Sequence, residues 1–178
     1  MFLKEFLIQS HSETFPLGGG IMSQWRRQAI DGLKSGMIFR FWRTFTERDV
    51  AIFGDITRDY NPVHYDKRFA STKRFPAVIC HGLLVGSMIC ELGGQVGWLA
   101  SGMEFHFLHP VCIGETVTCE LIIKEINYRD FARAEAVFIN QKGVEVMRAS
   151  MSGYVPGIAE RKILSKMMAE GDLTNKLH

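Results

Sequence analysis

Asp59, Asn61, Pro62, His64 and Asp66 crowd into the short stretch DYNPVHYD, an imidazole bracketed by carboxylates around an Asn-Pro turn. The solubility of a loop does not call for that composition; proton transfer does. Asp59 falls at the C-terminal end of a predicted helix, where carbonyl dipoles disfavour added negative charge. Burial against Phe53 or Tyr60 would act the same way and favour a general base. His64 follows across the turn that Asn61 and Pro62 set, within reach of a water shared with Asp59. On its own the stretch also fits an Asx turn carrying solvated charges. His81-Gly82, directly before a long apolar run, shifts the balance. The first N–H groups of a helix lack internal partners and carry the positive end of its dipole, and glycine lets a carbonyl approach closely. Gly82 can therefore supply an oxyanion hole, while His81 reads as a side chain that holds a loop at the helix start. A base, an acid and a backbone donor suit one class of chemistry: adding or removing water beside a thioester or similar carbonyl.

These groups must be positioned by regular elements. The alternating run MIFRFWRTF (37–45) reads as a strand, Thr46 with Asp49 as a capping box, and a helix follows to about Thr57. Pro62 forces its predecessor out of helical geometry. Residues 83–92 are apolar nearly all round, broken only by Ser87 and Glu91, and stop at Gly93-Gly94. Such a helix should be enclosed by other elements. Strands follow at 103–111, 115–126, 132–141 and 144–155, with a turn at Lys142-Gly143, as in an antiparallel meander. The expectation is an α+β domain over 37–156 in which a curved antiparallel sheet wraps a central helix. Residues 1–36 read as an extension, with 1–21 a flexible leader before Met22. Residues 157–178 read as a C-terminal helical extension with Ile163, Met167 and Met168 turned inward.

The chain has 178 residues, 47% hydrophobic and 22% charged, enough for one packed domain. A net charge of +2 gives no case for nucleic acid or an anionic membrane as partner. No apolar run is long enough to span a membrane. The first residues carry Glu5 and lack a cleavage motif, so they read as neither secretory signal nor anchor, and Glu5 and Glu13 oppose a mitochondrial presequence. Cys80, Cys90, Cys112 and Cys119 form no CxxC pair and sit in apolar runs, which reads as reduced, buried thiols in a cytoplasmic protein without a metal site.

The run FTERDVAIFGDITRDYNPVHYDKRFASTKRFPAVICHGLL resembles the signature of the MaoC-like, (R)-specific enoyl-CoA hydratases of the hotdog fold. The shared pattern is D-x-N-P-x-H-x-D, then Ala70, then a hydrophobic-x-H-G start to the central helix at Ile79 to Leu83. FLHPVCIGETV resembles a second family segment, with Glu115 where aspartate is commoner. The likeness covers roughly residues 37–156. It implies that Asp59 activates water and His64 donates the proton, that the Gly82 N–H binds the thioester oxygen, and that Asn61 and Pro62 shape the loop. Asp66 would be a structural carboxylate. It also implies a hotdog fold in a homodimer whose sheets join edge to edge, a CoA or acyl-carrier-protein thioester as substrate, and no metal or other cofactor. Two positions depart from the pattern. Arg58 stands where glycine is frequent, and Cys90 where some members carry a serine that Ser87, one turn earlier, could replace.

Two competing readings remain at this stage: a hotdog thioesterase using Glu91, and an acyl-CoA-binding protein without catalysis. His106 and His109 fall on opposite faces of a strand and read as structural. Arg129, Arg133 and Lys142 could meet phosphates but read more plainly as solvated surface cations.

Overall fold

The computed structural model describes residues 20–175, so most of the segment read as a leader lies outside the described residues. The strands are β1 (Ile38–Thr44), β2 (Leu99–Phe107), β3 (Thr116–Ile126), β4 (Phe131–Asn140) and β5 (Glu145–Tyr154). They form one five-stranded sheet in the order β1-β3-β4-β5-β2 with every neighbouring pair antiparallel. The period-two pattern explains its faces. Val117, Cys119, Leu121 and Ile123 alternate inward on β3, as do Ala132, Ala134, Ala136 and Phe138 on β4. The other face is laced by cross-strand ion pairs, among them Lys124–Glu135 at 3.4 Å and Arg133–Glu125 at 3.4 Å. Arg133 and Lys142, the latter 3.7 Å from Glu115, therefore each stand beside a carboxylate.

Against the apolar face lies the central helix, in two segments, α4 (Gly82–Gly86) and α5 (Met88–Val96), with Ser87 between them. Ser87 Oγ donates to the Leu84 carbonyl at 2.6 Å, the back-bonding that bends helices. The helix does not stop at Gly93-Gly94 as expected. It continues to Val96 and ends at Gly97, whose φ of 71° suits only glycine well. The expectation of full enclosure also fails on one side. Leu84, Val85, Met88, Ile89, Leu92 and Val96 are buried, while Leu83 is 57% exposed and Cys90 lies on the surface. Close contact with β2 requires glycine twice. A Cβ on Gly82 would stand 2.6 Å from the Phe107 ring, and one on Gly86 would stand 2.8 Å from Phe105.

The remaining helices are α1 (Gly20–Asp31), α2 (Glu47–Thr57) and α3 (Lys67–Thr72), with α6 (Ile158–Ala169) after the sheet. The segment read as an N-terminal extension contributes to the core, because α1 buries Trp25 and Ala29 completely or nearly so. The Trp25 ring meets Phe39 and Phe41 edge-on at 6.1 and 5.1 Å. Its neighbour Arg26 is buried 3.6 Å from Asp172 and donates to the Gly94 carbonyl, so the chain after α6 is fastened to α1 and to the end of α5. On α6 the residue packed on the core is Leu164. Ile163, expected inward, is 58% exposed, a one-residue error in helical phase. No helix among the described residues is long and apolar enough to cross a membrane.

Since α1 fills the core, Trp25→Ala should lower unfolding free energy by about 3–5 kcal/mol, read from urea denaturation. An unchanged midpoint would mean that the helix is a detached appendage.

Candidate active site

The polar loop is held at both ends by caps that its own sequence supplies. At the start of α2, Thr46 Oγ1 accepts from the Asp49 N–H at 3.2 Å and the Asp49 carboxylate accepts from the Thr46 N–H at 2.8 Å, a complete capping box. Arg43 on β1 donates to Asp49 and to Glu91 of α5, each at 2.9 Å, and so ties three elements together. At its far end α2 closes on Arg58, whose φ of 58° and ψ of 25° turn the chain sharply. Asn61 Oδ1 then accepts from the Val63 N–H at 3.2 Å, and Pro62 opens a single 3-10 turn, Pro62–His64. Asp66 caps α3, accepting from the Arg68 N–H at 2.8 Å. The Arg68 guanidinium beside it, with that backbone bond, pulls the Asp66 carboxyl down to about 2.

This scaffold brings His64, His81 and Asp59 together. His64 is 8% exposed and its Nδ1–H donates to the Ile79 carbonyl at 2.8 Å, which leaves Nε2 facing Asp59 Oδ2 at 4.0 Å. The carbonyl can only accept, so the tautomer follows from the contact. His81, 2% exposed, stacks on His64 with ring centroids 3.8 Å apart at 29°, and its Nε2–H donates to the Asp59 carbonyl at 3.0 Å. Burial pushes the His64 imidazole below its ordinary value, and the charge of His81 would act the same way. The bond to Ile79 and the nearby Asp59 carboxylate oppose them without prevailing. Asp59 is half-covered: its side chain is 50% exposed, and its Oδ1 accepts from the Asn61 N–H at 3.2 Å. It sits at the rim, with His64 beneath it.

One cavity of about 600 Å³ joins these groups to the helix start. Asp59, His64, His81 and Gly82 line it together with apolar Phe53, Leu83, Val85, Phe107 and Met147. Gly82 holds the first helical position of α4, so its N–H has no intrahelical acceptor. His109, read as structural, also lines the cavity, whereas His106 points elsewhere and stands 3.2 Å from Glu104. The role of Phe107 and His109 depends on the chain leaving β2 across the cavity mouth, which strand periodicity does not encode. Asp59, His64 and His81 offer ligand-type atoms within 4.8 Å of one another. Nevertheless a ring nitrogen's lone pair lies in the ring plane, and two stacked planes do not converge on one ion. The arrangement is better suited to handling protons.

Several candidates lie outside the cavity lining. Ser87 is engaged with Leu84, Cys90 faces outward, and Glu91 is held by Arg43. Of the cysteines expected to be buried, only Cys80 and Cys119 are, and burial raises both thiols, Cys80 to about 12.

A family model described as "MaoC like domain" matches residues 32–145. The chain belongs to the MaoC-like family. An (R)-specific enoyl-CoA hydratase of Aeromonas caviae is 36% identical over 97 residues, covering 52% of this chain and 72% of that one. A mitochondrial 3-hydroxyacyl-[acyl-carrier-protein] dehydratase of Solanum lycopersicum is 27% identical over 131 residues, covering 71% and 79%. Among solved structures, the (R)-hydratase of A. caviae superposes with a TM-score of 0.66 at 28% identity, covering 70% of this chain and 98% of that one. The fold of this MaoC-like chain is therefore the hotdog, a curved antiparallel sheet around a central helix.

Within the MaoC-like loop, Gly54 leaves room for Tyr65: a Cβ there would stand 1.8 Å from the Tyr65 hydroxyl oxygen. Gly54→Ala should cost about 1–3 kcal/mol of stability by crowding. Adding Tyr65→Phe, which removes that oxygen, should recover part of the loss in a double-mutant cycle. Simple additivity would show that the two residues do not meet in solution.

Proposed function

We propose that this protein is a hydro-lyase that adds water reversibly and in syn fashion to trans-2-enoyl thioesters, giving (R)-3-hydroxyacyl thioesters. The observation that carries the reading is one apolar cavity lined at once by a buried imidazole with a free Nε2, a carboxylate 4.0 Å from it, and the first N–H of the central helix. The hydratase and dehydratase names of the relatives support the same reaction class.

The tautomer redistributes the roles first expected. A neutral His64 with Nδ1–H given to Ile79 has no proton on Nε2 to donate. It can instead take one from water, while Asp59 orients that water and steadies the imidazolium that forms. The water oxygen bonds to C3, the double-bond electrons move toward the thioester oxygen at the Gly82 N–H, and the enolate then takes the same proton at C2 from His64 Nε2–H. One carrier on one face delivers both parts of water, hence syn addition. The buried stack keeps bulk water from competing for that proton.

The substrate carrier is coenzyme A or an acyl-carrier protein, the two carriers named among the relatives. A homodimer is supported by β2, an edge strand whose Leu99, Met103 and Phe107 are exposed. The thioesterase alternative loses its acid, because Glu91 is paired with Arg43 and stands outside the cavity lining.

The test follows the conjugated enoyl absorbance on adding crotonyl-CoA. Wild type should bleach it without releasing free thiol, and His64→Ala or Asp59→Asn should cut kcat about a hundred- to ten-thousand-fold. Thiol release at the rate of bleaching, or equal negligible rates in all three proteins across several chain lengths, would defeat the proposal.

The pH profile separates the two divisions of labour. Because burial lowers His64, the neutral, competent ring persists below the ordinary histidine value of about 6.5, and activity should hold level to that pH and fall only at more acid values. Activity that climbs as the medium is acidified toward 6.5 would instead make protonated His64 the working form.

A further inference from the structure

Two arginines adopt backbone conformations that glycine accepts more readily, and both adjoin the cavity described above. Arg58 has φ 58° and Arg74 has φ 63°. Left-handed geometry crowds the Cβ of any L-residue against its own backbone, so glycine would turn the chain at either place with less strain. Their immediate neighbours in sequence, Thr57 and Phe75, line the cavity. Both arginine side chains are exposed, and among the described residues neither has a carboxylate partner. Arg40, Arg43, Arg68, Arg133 and Arg148 each stand against a glutamate or aspartate, whereas Arg129 lies over the Tyr128 ring and Arg161 donates to the Asp31 carbonyl. Arg58 and Arg74 share their lack of an acid with these last two; what sets them apart is the left-handed backbone beside cavity-lining residues. Lys67 and Lys73, likewise without an acid, add to the positive charge of the 58–74 arc, where Arg68 offsets Asp66 and Asp59 is the one carboxylate without an arginine or lysine partner among the described residues. Left-handed backbone kept directly beside cavity-lining residues, by side chains built to fork onto oxyanions, points to an anionic ligand.

The proposed substrates supply the matching chemistry. Coenzyme A and acyl-carrier protein present the acyl group on the same phosphopantetheine arm. With the thioester oxygen at Gly82 and the reacting carbons beside Asp59, the arm must leave the cavity past its rim. Arg58 is the residue directly before Asp59. Resting on the function proposed above, we infer that Arg58 and Arg74 form a phosphate-binding rim that grips the phosphate of the phosphopantetheine arm. CoA and carrier protein are then recognised through the group they share.

Three crotonyl thioesters test this: those of pantetheine, 4′-phosphopantetheine and CoA, the first two differing only by the phosphate. Wild type should prefer the phosphorylated arm over pantetheine by tenfold or more in kcat/KM, and added salt should weaken that preference. In Arg58→Gly/Arg74→Gly, glycine accepts the left-handed geometry, so the melting temperature should hold or rise. The preference should collapse toward unity through KM, and the corresponding lysine variants should retain part of it. An undiminished preference in the double variant, or none in wild type, overturns the rim. So does a lowered melting temperature with equal losses on pantetheine and phosphopantetheine thioesters, which would make the arginines structural. A loss confined to CoA would place the contact on the nucleotide phosphates and overturn the assignment to the arm. If wild type hydrates none of the three, the hydratase reading fails separately. The rim is then judged by calorimetric binding of free 4′-phosphopantetheine and pantetheine: tenfold weaker phosphopantetheine binding by the double variant, with pantetheine unchanged, upholds it, and equal binding rejects it.

Discussion

The site depends on one contact, the stack of His64 on His81 at 3.8 Å. Each ring spends one nitrogen on a backbone carbonyl, His64 on Ile79 and His81 on Asp59. The stack thereby sews the polar loop to the strand-like segment that leads into α4. Burial penalises a charge on His64, and a charge on the stacked His81 would act the same way, so His64 is arranged to rest neutral. Neutrality leaves a lone pair on His64 Nε2 in the cavity, beside a half-exposed carboxylate. The division between a buried imidazole and a rim carboxylate follows from packing, before any substrate is considered.

The stack needs a frame that keeps α2 and the central helix in register. Arg43 provides it from β1 by holding Asp49 at the start of α2 and Glu91 within α5. Asp49 also closes the capping box with Thr46, so one carboxylate serves both the helix end and the bridge. This explains a charge on an otherwise apolar helix without giving it a chemical role. It also shows why the cavity lies at the N-terminal end of the central helix: the other end is occupied by α1, by Arg26 on the Gly94 carbonyl and by the Asp172 segment.

Much of this was legible in the sequence because it is local. The capping box, the Asn-Pro turn, the strand alternation and the His-Gly helix start all rest on interactions within a few residues. What escaped was relational. Nothing in the spacing of His64 and His81 says that their rings stack, since that depends on how the segment after α3 returns beside Val63, whose carbonyl accepts the Ile79 N–H at 3.3 Å. Glu91 could be read as a functional acid because its partner lies 48 residues away on β1. Trp25 belonged to a segment whose apolar positions only become core when β1 offers Phe39 and Phe41. Ile163 and Leu164 show the remaining weakness: in a marginally amphipathic helix, neighbouring apolar residues compete for the inward position and the tertiary contact decides.

Special backbone positions around the cavity fall into two kinds with different causes. At Gly54, Gly82 and Gly86 a side chain would collide with Tyr65, Phe107 or Phe105, so glycine is required by what packs against it. The closeness of Gly82 to Phe107 means that its lack of a Cβ serves the fold as well as any approaching carbonyl. Arg58 and Arg74 are the reverse case: their conformation favours glycine, yet the sequence keeps long cations there. Packing cannot account for these two, because both side chains are exposed. Asp130 shares that backbone outside the cavity lining, so strain alone assigns no ligand; it is the position of Arg58 and Arg74 beside Thr57, Asp59 and Phe75 of the cavity lining that makes an anionic partner the reading for them.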